Sequence, residues 1–164
     1  MNAVQGFLTA LWMFFAAQTV LAQNTDTHCK GDEAVIFSCP LGRKLVFVCA
    51  APDNSLLYYR FGGKNNIELA LAHHKNTPGV AVQGDTLTFA GGGGAYLRFL
   101  NQGYSYVLYT AIGRGWGSKA GIVVEKNGLK QAHLACSEEA ISELGPDWFT
   151  RAGIAANSGN FELP

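Results

Sequence analysis

The sequence predicts a mainly β protein, an antiparallel β-barrel or sandwich with a short C-terminal helical segment. Three observations predict it. Short runs rich in β-branched and aromatic residues recur along the chain, and such side chains fit a pleated sheet surface. Gly, Asn and Pro separate those runs at close spacing, as turns between antiparallel strands require. In YSYVLYT (104–110) and AYLRF (95–99), large apolar residues alternate with other types, the pattern of a sheet with one buried face.

The N-terminus reads as an export signal. Residues 7–17, FLTALWMFFAA, form an apolar run, and VLA at 20–22 places small side chains before a cleavage point after Ala22. Only the terminal amine supplies positive charge there. The run is shorter than the roughly 20 residues that span a bilayer, so residues 1–22 are expected to be removed rather than to anchor the chain. No cysteine directly follows the cut, so no lipid anchor is expected there. Residues 23–164 form a single β-rich domain, of a size that builds an ordinary core without metal or oligomer support.

The elements follow in order. AVIFSC (34–39) and residues 44–51 flank PLGR, which supplies turn residues Pro40 and Gly42. LLYYRF (56–61) follows PDNS, and GGKNN leads into IELALA (67–72). A polar stretch, HHKNTPGVAVQGD, precedes TLTFA, AYLRFL, YSYVLYTA, GIVVEK and KQAHLAC, which all read as strands. After Cys136 the pattern changes. Ser137 is a helix cap, Glu138 and Glu139 suit a first turn, and Gly145–Pro146 is a stop. DWFTRAG makes a further helical turn ending at Gly153, and the tail NSGNFELP reads as extended.

Charge and cysteine content narrow the function classes. The chain carries 12 Lys and Arg against 12 Asp and Glu, so no polyanion-binding surface and no nucleic-acid partner are expected. Cys29, Cys39, Cys49 and Cys136 are an even set in an exported chain and read as two disulfides, with three possible connectivities. Their spacings do not match short-loop zinc sites, His73 and His74 are adjacent, and His28 and His133 stand alone. No metal site and no cofactor are therefore expected.

Two glycine-rich stretches stand out. AGGGGAYLRF (90–99) has four successive glycines, but a strand follows where a phosphate loop needs a helix. Close backbone crossing or a pliable loop explains it. TAIGRGWGSKAG (110–121) surrounds Arg114, Trp116 and Lys119 with glycines and lacks the dinucleotide-binding pattern. Trp and Arg often anchor protein interfaces, although Trp116 folding back onto the core is an equal reading. GYSYV lacks the second glycine of a nucleophile elbow. Glu68, Asp85 and Glu125 are scattered, and Asp147 beside Trp148 suits a helix start. No catalytic residue is assigned, and the chain is not expected to be an enzyme.

The order of elements resembles the C-type lysozyme inhibitors of the bacterial periplasm, of the membrane-bound and periplasmic (MliC/PliC-like) type. Cys39 in IFSCPLGRKLVFV looks like that family's early cysteine, and residues 92–96 (GGGAY) occupy the place of its Ser-Gly-x-x-Tyr segment. YSYVLYT looks like its aromatic strand, SKAGIVVEKNG (118–128) like its Lys-Gly segment and following strand, and Cys136 like its late cysteine. Gly92 stands where the family has serine, and Ala120 rather than glycine follows Lys119. The resemblance implies a small β-barrel, a Cys39–Cys136 bridge that leaves Cys29 with Cys49, and loops that reach into an enzyme cleft.

The expected function is therefore that of an exported, disulfide-stabilised binding protein, periplasmic or secreted. It would act as an inhibitor or immunity protein against a lysozyme- or muramidase-like, peptidoglycan-degrading enzyme. The partner-binding residues would be Gly92, Gly93, Tyr96, Arg114, Trp116 and Lys119, on loops at 91–96 and 114–119. The alternative is a carbohydrate- or small-ligand-binding envelope module, or a hydrolase, with the abundant tyrosines lining a sugar groove.

Overall fold

The computed structural model describes residues 26–154 and 161–164. The expected signal segment, residues 1–22, lies outside them. Ten strands and one helix follow in chain order: β1 (Ala34–Leu41), β2 (Lys44–Ala50), β3 (Leu56–Gly63), β4 (Asn66–His74), β5 (Ala81–Phe89), β6 (Gly92–Asn101), β7 (Tyr104–Gly113), β8 (Gly117–Lys126), β9 (Leu129–Ala135), β10 (Ile141–Ser142) and α1 (Pro146–Ala152).

The strands form two antiparallel five-stranded sheets, ordered β10-β1-β2-β3-β4 and β5-β6-β7-β8-β9. Of the two expected architectures, this is the sandwich. β1–β4 and β5–β9 are each a meander of hairpins, β10 returns to pair with β1, and no ladder joins β4 to β5 or β9 to β10, so the barrel does not close. Alternation decides the faces. Val46, Val48, Leu57 and Tyr59 of the first sheet meet Ala95, Leu97, Phe99, Leu108 and Ile122 of the second in one buried core. A fully buried side chain of this size contributes roughly 1.5–3 kcal/mol by leaving water.

The chain returns to the first sheet after β9, and here the structure departs from the sequence expectation. Residues 138–144 are not helical. The Ser137 N–H donates to the carbonyl of Pro40 (2.8 Å), and the Glu143 N–H donates to that of Ile36 (2.8 Å). Between them Ile141 and Ser142 pair with Ser38 and Phe37. Pairing with β1 thus overrides the local capping signals. The helix begins instead at Pro146, which occupies the first turn where its missing N–H costs nothing. It ends at Gly153, left-handed at φ 67. Trp148, Phe149 and Ala152 are buried. Gly84 admits the Phe149 ring to β5, since a Cβ there would lie 2.9 Å from it.

Two disulfides form, Cys29–Cys49 and Cys39–Cys136. This is one of the three possible connectivities and the one that the resemblance implies. Such bonds persist in oxidising, extracytoplasmic environments. No helix among the described residues is long and apolar enough to cross a membrane.

Cys29–Cys49 pins the N-terminal segment to the outer face of the first sheet. There Arg60, only 4% exposed, donates to Glu33 (2.8 Å to Oε1) and to the His28 carbonyl (2.9 Å). Its guanidinium also stacks 4.2 Å over Tyr58. The Arg60 hydrogen bonds hold the Glu33 carboxyl below its ordinary value of 4.5, against the opposing effect of burial.

Two outcomes are expected. Closing the longer loop, 97 residues against 20, restricts the unfolded chain more. Replacing Cys39 and Cys136 with serine is expected to cost about 5 kcal/mol in urea unfolding, and replacing Cys29 and Cys49 about 3 kcal/mol. Because the folded pKa of Glu33 is depressed, its contribution is present above pH 4.5 and lost as pH falls through the folded value. Glu33→Gln is expected to flatten that part of the acid-unfolding curve while lowering stability at pH 7.

Candidate functional site

Two hairpin turns lie side by side at one end of the second sheet. Gly92 of β6 pairs with Gly113 of β7, which places Ala90 and Gly91 against residues 114–116. The Arg114 N–H closes the arrangement by donating to the Gly91 carbonyl (2.9 Å). Gly91 (φ 76) and Gly115 (φ 90) occupy left-handed conformations that side chains rarely adopt.

The other glycines of 91–94 belong to strand β6, not to a loop. A Cβ on Gly92 would sit 2.1 Å from the Ile112 carbonyl oxygen, and one on Gly94 would sit 2.2 Å from that of Thr110. The missing side chains let β6 press against β7. Close backbone approach, one of the two readings of the glycine run, is the one realised.

Trp116 lies flat on Gly113, where a Cβ would come within 2.2 Å of the indole. Its ring also meets Phe89 at 5.6 Å between centroids. The indole nevertheless remains 39% exposed, while Ile112, on the opposite face of β7, is 63% exposed at the edge of a cleft between the sheets. Both readings of Trp116 are partly met: one ring face covers glycine and phenylalanine, and the rest meets solvent. Arg114 is exposed and makes no salt bridge among the described residues.

The remaining expected residues are placed differently. Lys119, on β8, has its ammonium 5.4 Å from the indole centroid and donates to the Pro164 carbonyl (2.9 Å). Gly93 lines a cleft of about 610 Å³ together with Thr110, Ser118, Glu138, Glu139 and Ser142. Tyr96 is buried at 2% exposure, its ring 5.2 Å from Phe161. Burial pushes its hydroxyl pKa up. The structure thus brings Gly92, Arg114 and Trp116 to the tip, sets Lys119 and Gly93 beside it, and leaves Tyr96 under the C-terminal segment.

Other chemistry is sparse. The one group of metal-type ligands among the described residues, Cys29, Glu33 and Cys49, has both sulfurs in a disulfide. Tyr59 and Tyr109, like Tyr96, are at most 2% exposed, so these rings pack rather than line an open groove. The Tyr109 hydroxyl lies 2.7 Å from His133 Nε2, within hydrogen-bond distance. Burial, then the charges of Lys130 and Lys119, lower the His133 pKa.

Sequence reading missed Ile112, which sits in a strand pattern that otherwise reads as buried. It also missed Phe89, whose ring supports Trp116 only because the two hairpins pair. Neither has a local signal. No family model, curated protein or solved structure matches the chain.

The seating of Trp116 makes a direct prediction. Gly113→Ala inserts a methyl group where the indole lies, and the indole is the movable partner. The variant is expected to expel the ring, shift its fluorescence to longer wavelength and lower the melting temperature by only a few degrees.

Proposed function

We propose that this chain is an exported, non-enzymatic binding protein that inhibits, or gives immunity against, a lysozyme- or muramidase-like enzyme that degrades the cell wall. One observation carries the reading: two paired hairpin tips present Arg114 and Trp116 to solvent from a doubly cross-linked sandwich. Trp and Arg on a fixed scaffold lose little conformational freedom on binding and make strong interface anchors. Arg114 would pair with carboxylates in the target cleft. Trp116 would fill an apolar subsite. The resemblance to periplasmic lysozyme inhibitors supports the target class, through Cys39, Cys136 and the strands between them.

A second reading rests on the cleft beside the tip. Thr110, Ser118 and Ser142 offer hydroxyls there, and Glu138 and Glu139 offer carboxylates. Such a lining suits a carbohydrate or another small polar ligand. Peptidoglycan fragments separate the two readings: a ligand module binds them, and an inhibitor ignores them.

The test is a titration of oxidised protein, from residue 23 onward, into a panel of lysozymes, other muramidases and amidases. Stoichiometric inhibition of one class is expected. Arg114→Ala is expected to weaken it by about 10- to 100-fold, a loss of roughly 1.4–2.8 kcal/mol, with the melting temperature unchanged because an exposed charge adds little stability. Failure to inhibit any member of the panel by folded protein would overturn the reading.

A further inference from the structure

The outer face of the second sheet carries a feature that the hairpin tips do not use. Tyr96, Val107, Tyr109 and Val123 form a separate apolar cluster there, on the side away from the main core. Gly94 and Gly121 share that face by alternation with Tyr96 and Val123, and no side chain from either position covers the two tyrosines. A Cβ at Gly121 would lie 2.9 Å from the Tyr109 hydroxyl. The cluster forms an aromatic-walled seat, a groove only in the sense that the segment lying on it fills it.

Residues 161–164, FELP, occupy this groove. The Phe161 ring lies 5.2 Å from Tyr96 and 5.6 Å from Tyr109, centroid to centroid. Leu163 packs on the same cluster, while Glu162 between them is exposed. That alternation is the signature of an extended segment bound through every second side chain. The segment is not part of any strand ladder. Lys119 instead grips it by donating to the Pro164 carbonyl (2.9 Å).

We infer that this groove is a recognition site for an extended peptide with an aromatic and an aliphatic residue two positions apart, and that residues 161–164 fill it as a replaceable ligand. The holding forces favour exchange. Among the described residues, two side chains and one lysine bond hold segment 161–164, fewer than the ladder bonds of a paired strand. The same lysine lies 5.4 Å from the indole of Trp116, so a longer peptide would run on toward the tip. The occupant is a segment of another polypeptide with this side-chain pattern. The inference stands independently of the inhibitor reading, since it concerns a different face and a different mode of contact.

The experiment uses the peptide acetyl-Phe-Glu-Leu-Pro-amide. A tethered segment competes at an effective concentration on the order of 1 mM. The full chain carrying F161A/L163A is expected to bind the peptide at least about 10-fold more tightly than the unsubstituted chain. Acetyl-Ala-Glu-Ala-Pro-amide is expected not to bind. A folded variant that ignores the first peptide, or equal affinity in both chains, would overturn the inference. Should the variant fail to fold, 4-fluorophenylalanine at position 161 of the unsubstituted sequence gives the answer. Excess peptide, at about 10 mM and so several-fold above the tethered concentration, is expected to move the fluorine resonance toward its solvent value. An unmoved resonance would mean a fixed structural segment and no recognition site.

Discussion

The return of the chain from the second sheet to the first organises the molecule. After β9 the backbone crosses to β1, and the Cys39–Cys136 bond fixes it there. Ser137 then bonds to Pro40, and the next residues run beside β1 as β10. The bond closes a loop of sequence separation 97, which takes in nearly all of both meanders. Without it, two hairpin stacks would be held together by side-chain packing and one short strand. The same crossing carries Glu138 and Glu139 into the wall of the cleft, and it delivers α1 to the core.

The candidate site follows from a second constraint, the close approach of β6 to β7. Gly92 and Gly94 remove the side chains that would block it. Adjacent β-hairpins then end at the same level, and Gly113 leaves a flat seat for Trp116. An indole supported on one face and wet elsewhere is positioned without being buried. Arg114, bound through its backbone to Gly91, is held in place while its guanidinium stays in water. Glycine thus serves order here as much as pliability. A tip held in this way would suit the proposed insertion into a cleft better than a loose loop.

Much of the fold was legible in the residues. Period-two alternation in YSYVLYT and AYLRF gave the face that each side chain takes, and the turn residues Gly42, Asn54 and Gly91 mark chain reversals with positive φ. What escaped was non-local. Ser137, Glu138 and Glu139 are good helix-starting residues, yet β1 and a disulfide claim the segment. The run at 91–94 looks like a loop until Gly113 and the Thr110 carbonyl are seen opposite it. Tyr96 has the makings of a contact residue but lies under Phe161, which is far away in sequence. Within the site, residue type pointed to Arg114 and Trp116, while the exposure of Ile112 depends on where the sheet ends.

The central claim is that the paired hairpin tips are the surface through which this protein meets a cell-wall-degrading enzyme. Amide hydrogen exchange of the oxidised protein, with and without saturating amounts of a muramidase of the proposed target class, tests it most directly. The account predicts new protection confined to residues 89–92 and 112–117. Protection centred on residues 136–142, or on no part of the second sheet, would contradict it.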